Sequence, residues 1–171
     1  MNIDEQVFLL FNHLAGRSGL RDQAMLYANS YGLYLFAGIV ALFFFINRRL
    51  FWKLLLAIVL SRGLFTELIR FMYQRPRPFV NEHLEDVRQL IEKNASEASF
   101  PSGHAAFYFA VAFGVYFWNR QAGVMLVVLA TILGLVRVYA GIHYPSDILG
   151  GAFIGLVSAW LVQRILKSVR N

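Results

Sequence analysis

The chain contains no cysteine. That excludes disulfides and thiolate metal ligands, and it leaves the redox compartment open. Charge is scarce as well: charged residues make up 15% of the 171 positions against 58% hydrophobic, too apolar for an ordinary soluble domain. Only four prolines occur, at positions 76, 78, 101 and 145. The opening Met1-Asn2-Ile3-Asp4-Glu5 has no basic n-region, so no cleaved signal peptide is expected. No internal repeat, low-complexity tract or soluble second domain interrupts the sequence, and its length fits one membrane-embedded domain over residues 1–171.

Apolar runs are abundant, and several reach the ~20 residues that a helix needs to cross a bilayer. The expectation is an all-α, polytopic transmembrane helical bundle with five spans, at about 24–46, 51–73, 102–118, 122–142 and 147–166. The first ends at Asn47-Arg48-Arg49, and the second opens on Phe51-Trp52-Lys53, whose aromatic and snorkelling side chains suit an interface. Trp118 and Trp160 fit the same anchoring role. Pro76 and Pro78 end the second span. In the polar connection 80–99, Leu84, Val87, Leu90 and Ile91 are spaced as one short amphipathic helix near the membrane surface. Residues 7–14 are too short to span alone; they read as an interfacial helix or as half of a sixth crossing with a turn at Gly16–Gly19.

The net charge of +6 does not call for nucleic acid, because the basic residues lie mostly at span ends, where anionic lipid head groups are the simpler partner. Following the spans back and forth, the ends near residues 70–78, 101–104 and 137–147 meet at one membrane face. The other face carries Arg48, Arg49, Lys53, Arg120, Arg164, Lys167 and Arg170. The positive-inside rule then puts the first face outside the cytoplasm.

Three polar blocks occupy that face. Arg70 and Arg77 are seven residues apart; Arg70 belongs to the last turns of the second span and Arg77 to a stiff, Pro-bracketed extension. Both guanidinium forks match phosphate oxygens, although each alone equally suits an interfacial arginine. Arg75 reads as interfacial. In Pro101-Ser102-Gly103-His104, Ser102 is a natural N-cap, Gly103 permits close approach of an anion to free helix amides, and His104 could protonate a leaving oxygen. Alone, this block also reads as a plain helix cap with an incidental histidine. In the third block, Arg137 precedes His143, and Asp147 follows Pro145, which favours a helix start. A carboxylate four residues from a histidine can hold one ring nitrogen and free the other to attack phosphorus. The simpler alternative is an Asp147 that satisfies a helix N-terminus. Ionisable residues inside a membrane are costly and mark function by default. Arg62 and Glu67 either pair within the bundle, the favoured reading, or line a substrate entrance. His13 and His83 read as surface residues.

Arg70-x6-Arg77-Pro78, Pro101-Ser102-Gly103-His104 and Val136-Arg137-x5-His143-x3-Asp147 together resemble the three-part signature of the type 2 phosphatidic acid phosphatase superfamily, over roughly residues 50–165. Two positions depart from it: Arg70 stands where the family usually has Lys, and Val136 where it has Ser. The resemblance implies that His143 attacks phosphorus to form a phosphohistidine while Asp147 orients it. His104 would protonate the departing oxygen and then activate water. Arg70, Arg77 and Arg137, with Ser102 and the Gly103 amide, would hold the phosphoryl oxygens. No cofactor or metal is implied, and no carboxylate cluster suits one. The implied substrate is a membrane lipid phosphate or diphosphate. Among such enzymes, the small size, the compact N-terminus and Ala98-Ser99-Phe100 before the second block look similar to bacterial undecaprenyl-diphosphate phosphatases of the inner membrane, with lipid A, phosphatidylglycerophosphate and phosphatidic acid phosphatases as alternatives. An anionic-lipid transporter would leave the His143–Asp147 pair without a task. A vanadium haloperoxidase, whose site is similar, would be soluble. The oligomeric state is not legible.

Overall fold

The computed structural model describes residues 1–168, except the side chains of 167 and 168. Among the described residues all regular structure is helical. The helices are α1 (Ile3–Asn12), α2 (Gly19–Ile46), α3 (Arg48–Ile58), α4 (Thr66–Met72), α5 (Gly103–Tyr116), α6 (Arg120–Tyr139) and α7 (Pro145–Ser168). A π-helical segment, Val59–Phe65, joins α3 to α4 and makes residues 48–72 one continuous helical path.

Local chemistry sets the helix ends. α1 begins in a reciprocal capping box, with Glu5 N donating to Asn2 Oδ1 at 2.9 Å and Asn2 N to Glu5 Oε2 at 2.8 Å. Asn47 separates α2 from α3 and accepts from Leu50 N at 3.1 Å. Asn119 does the same for α6, accepting from Ala122 N at 2.9 Å. Pro145 opens α7, as its missing N–H favours.

α5 is the centre of the bundle, packed against α2, α3, α6 and α7. It is buried on nearly every side, from Ala105 and Ala106 through Tyr108 and Val111 to Val115. It also approaches α7 closely. A Cβ on Gly151 would stand 2.6 Å from Ser102 O, and one on Gly155 2.6 Å from Ala110 N. Missing side chains therefore let two backbones touch, as membrane helices commonly do. Large apolar residues elsewhere face outward, among them Phe45, Phe71, Met125, Leu149 and Phe153.

Three helices are long and apolar enough to cross a membrane: Gly19–Ile46, Arg120–Tyr139 and Pro145–Leu166. The expected count of five or six is thus met only in part. At 14 residues α5 is about 21 Å long, short of the ~30 Å hydrocarbon core. Its apolar character accompanies burial on most sides within the bundle. The fourth span ends at Tyr139 rather than 142, where Gly141 turns the chain at φ +81. α1 has only 10 residues and closes into a turn at Gly16, with φ +69.

The amphipathic helix expected within 80–99 does not form. A 3-10 turn, Pro78–Val80, is followed by irregular chain with Asp86 at φ 57. Tertiary partners take the backbone groups that a helix would use. Buried Asn12 accepts from Arg88 N and donates to Arg88 O, both at 2.8 Å, and Leu90 N donates to Ala140 O at 3.1 Å. The apolar pattern still marked burial: Leu84 is in the core, with Val87 packed against it.

Candidate active site

The three polar blocks meet around one cavity of about 340 Å³. It is lined by Arg62, Glu67, Arg70, Arg77, Lys93, Glu97, Gly103, His104, Arg137 and His143. Five cationic side chains against two carboxylates leave a strongly positive chamber.

His143 lies between α6 and α7 and is almost fully buried. Its Nδ1 is 3.2 Å from Asp147 Oδ2; a proton on Nδ1 donates to the carboxylate and leaves the Nε2 lone pair unprotonated. Burial pushes the His143 pKa down to about 4; the hydrogen bond to Asp147 opposes this, while the Arg137 charge adds to it. The imidazole is therefore neutral near pH 7, as a nucleophile must be. Asp147 is fully buried one turn into α7 and does not line the cavity. Its Oδ2 also accepts from Ser99 Oγ at 2.7 Å and Tyr144 N at 2.8 Å, and its Oδ1 accepts from Arg75 Nη1 at 2.9 Å.

The cationic wall is built by separate elements. Arg70, on α4, donates from Nε and Nη2 to Pro101 O at 3.2 and 3.0 Å, which fixes it against the start of α5. Arg77 is buried; its Nη1 donates to Ile142 O at 2.9 Å and its Nη2 pairs with Glu97 at 3.1 Å. Burial holds its pKa below the ordinary arginine value, against the pull of Glu97. Arg137, near the end of α6, donates from Nη1 to Asn29 Oδ1 on α2 at 2.8 Å. The Nε atoms of Arg77 and Arg137 are buried without a partner. Both residues line the positive cavity, where guanidinium groups suit an anionic phosphate.

Gly103 and His104 form the first turn of α5 and line the cavity, and Ser102 caps the helix, accepting from Ala105 N at 3.5 Å. Ser102 is itself buried and absent from the lining; its N–H donates to Asp147 O at 3.0 Å. Of the eight residues expected from the sequence, six line the cavity, while Asp147 and Ser102 stand immediately behind it. Arg62 and Glu67 do both things expected of them, pairing with each other and lining the chamber. Residues five apart face away from each other on an α-helix; the π-turn brings this pair together. Among the described residues, no three His, Cys, Asp or Glu side chains converge as a metal site would require.

The sequence profile of the PAP2 superfamily matches residues 50–170. The chain belongs to the PAP2 superfamily. Undecaprenyl-diphosphatase BcrC of Bacillus subtilis (strain 168) is 29% identical to this PAP2 protein over 168 residues, covering 96% of this chain and 85% of that one. Phosphatidylglycerophosphatase B of the same organism is 30% identical over 155 residues, 84% of this chain and 72% of the relative. The crystal structure of Aquifex aeolicus LpxE superposes with a TM-score of 0.82 at 26% identity, covering 96% of each chain. The PAP2 protein is a membrane-bound phosphatase of the lipid phosphatase family.

Sequence reading missed part of this PAP2 site. Arg75, read as interfacial, instead holds Asp147 and is only partly exposed. Ser99, Asn29, Lys93 and Glu97 also contact or line the site. The Arg-Pro-Arg-Pro alternation around 75–78 offered one usable signal: in extended chain, residues two apart share a side. Nothing in the sequence marked Asn29, and Ser99 stood out only within the Ala98-Ser99-Phe100 run, with no role of its own.

Proposed function

We propose that this PAP2 phosphatase removes the terminal phosphoryl group of a membrane lipid through a covalent phosphohistidine on His143, without a metal. The observation that carries the reading is the neutral, carboxylate-backed imidazole opening onto a chamber lined by five cationic side chains. In the first step His143 Nε2 attacks phosphorus while Asp147 steadies the proton and positive charge at Nδ1. His104, protonated once the anionic phosphate has entered beside it, gives that proton to the departing oxygen and later takes one from the water that displaces His143 from phosphorus. Arg70, Arg77 and Arg137 stabilise the equatorial oxygens as charge builds on them, with the Gly103 amide at the α5 N-terminus. Ser102 acts from behind, by fixing that helix start.

The substrate we infer is undecaprenyl diphosphate, converted to undecaprenyl phosphate. Arg62 and Lys93 add cationic charge beyond the three arginines that grip one phosphoryl group, which suits a second phosphate. The similarity to a protein named undecaprenyl-diphosphatase points the same way. The chamber would face outward across a bacterial inner membrane.

Purified enzyme in detergent with chelator should release phosphate from undecaprenyl diphosphate faster than from lipid A, phosphatidylglycerophosphate or phosphatidic acid at matched detergent-to-lipid ratios. Vanadate should inhibit by mimicking the five-coordinate phosphoryl group. A clear preference for another lipid would overturn the substrate, and full turnover by His143→Ala would overturn the nucleophile.

A further inference from the structure

The carboxylate behind His143 is itself held by a cation outside the cavity lining. Arg75 donates from Nη1 to Asp147 Oδ1 at 2.9 Å and to Ser146 Oγ at 2.6 Å. Its Nη2 donates to Asp4 Oδ2 at 2.7 Å, in the first turn of α1. The guanidinium lies 3.9 Å over the Tyr144 ring, where cation–π attraction holds its plane. Asp4 is fixed in turn by Ser146, whose N–H donates to Asp4 Oδ1 at 2.9 Å and whose hydroxyl donates to Asp4 Oδ2. Asp4, Arg75, Asp147 and His143 thus form a chain of alternating charge from the N-terminal helix to the cavity.

We propose that Arg75, clamped by Asp4, is a positioning residue for phosphoryl transfer: it fixes the Asp147 carboxylate and limits how strongly that carboxylate draws a proton onto His143. The inference rests on the reading of His143 as nucleophile.

Geometry comes first. Asp147 Oδ2 is shared among His143, Ser99 and Tyr144 N, and Arg75 is the hydrogen-bond partner of Oδ1. Removing Arg75 leaves that oxygen buried and lets the carboxylate turn. Charge follows. The groups acting on His143 are Asp147, Arg137, Arg77 and His104; those acting on Arg75 are Asp147, Asp4 and Tyr144. An unopposed Asp147 would hold an imidazolium, which has no lone pair for attack. Arg75 offsets that charge, and Asp4 keeps the offset from being complete. Although burial opposes the Arg75 charge, Asp4 and Asp147 together hold its pKa above the ordinary arginine value.

The two variants should therefore move His143 in opposite directions. Arg75→Ala removes a cation and raises the His143 pKa; Asp4→Asn strengthens the net cation and lowers it. The readouts are ¹⁵N-histidine NMR in micelles, with the His143 signal assigned by its loss in His143→Ala, and initial rates on an isoprenoid diphosphate. Arg75→Ala should lower kcat about 10–100-fold, with KM little changed because Arg75 does not line the cavity. Arg75→Lys should recover part of the loss, and guanidinium ion added to Arg75→Ala should recover more. The effect of Asp4→Asn should vanish in the Arg75→Ala background. Should Arg75→Ala not fold, the opposite-sign test passes to Arg75→Lys and Asp4→Asn. Normal kcat in folded Arg75→Ala beside an inactive His143→Ala overturns the inference, as does a His143 titration that neither variant shifts or both shift alike. An active His143→Ala overturns instead the reading beneath it.

Discussion

Asp147 shows how much a single buried carboxylate demands of its surroundings. Placed without solvent, it must be hydrogen-bonded on both oxygens or it would take up a proton. Ser99, Tyr144 N, Arg75 and His143 meet that demand from three stretches of chain. Hydrogen bonds to charged groups contribute about 1.5–3 kcal/mol each, so Ser99→Ala should reduce turnover about tenfold, the low end for a supporting contact. Phosphate release at saturating substrate measures this, and unchanged kcat would show Ser99 to be dispensable. His143 carries its own linked consequence. Its folded pKa, about 4, lies below the ~6.5 of an unperturbed histidine. The native state then binds fewer protons than the unfolded one between these values, so this residue costs stability increasingly as pH falls from 6.5 to 4 and adds no further cost below. Histidine NMR should find it neutral at pH 5.5; a protonated ring there would contradict the buried geometry. The catalytic blocks were legible because each clusters several groups of matching chemistry within a few residues. Arg75, Ser99 and Asn29 were not, since each acts on a partner 48 or more positions away and has no neighbour that shares its task.

At the scale of elements, the site depends on how closely α5 and α7 approach. α5 presents Gly103 and His104, α7 begins beside His143 and Asp147, and the Gly151 and Gly155 contacts fix the distance between them. Gly151→Val would drive side-chain carbons into the backbone of Ser102 and Ala106, which cannot yield as a flexible side chain would. Overpacking of this kind costs about 1–3 kcal/mol, and it would also part His104 from His143. Thermal unfolding in detergent should show a lower midpoint, with activity lost beyond what the midpoint explains. Gly38→Ala is the matched control, because nothing stands within 4 Å of its Cβ position, and it should be neutral or slightly stabilising. Hydrophobic pattern located α2, α6 and α7 well. It could not separate α5, buried in protein, from a helix buried in lipid, nor foresee that Asn12 would take the backbone bonds of residue 88. The first ambiguity concerns environment, and the second concerns a partner 76 residues away.

For the whole molecule, the asymmetry between the two ends of the bundle gives an expectation of which membrane side the chemistry serves. One end gathers the site cations around a chamber, with Arg70 and Arg77 in its lining and Arg75 behind it, each paired with a carboxylate. The other end carries Arg48, Arg49, Lys53, Arg120 and Arg164 in short turns and at helix ends. Cationic loops of that kind are retained in the cytoplasm. The positive-inside rule therefore predicts that the chamber faces out, at outer head-group level. A chain with no cysteine lets this be tested without first stripping native thiols. Ser96 is exposed in the loop beside the chamber, and Arg49 is exposed at the opposite end. Cysteines introduced singly at these positions should both react in permeabilised cells. In intact cells an impermeant maleimide should label position 96 and spare position 49. Labelling at 49 alone would turn the molecule over and assign it a substrate pool on the inner leaflet, while the chamber geometry would stand unchanged.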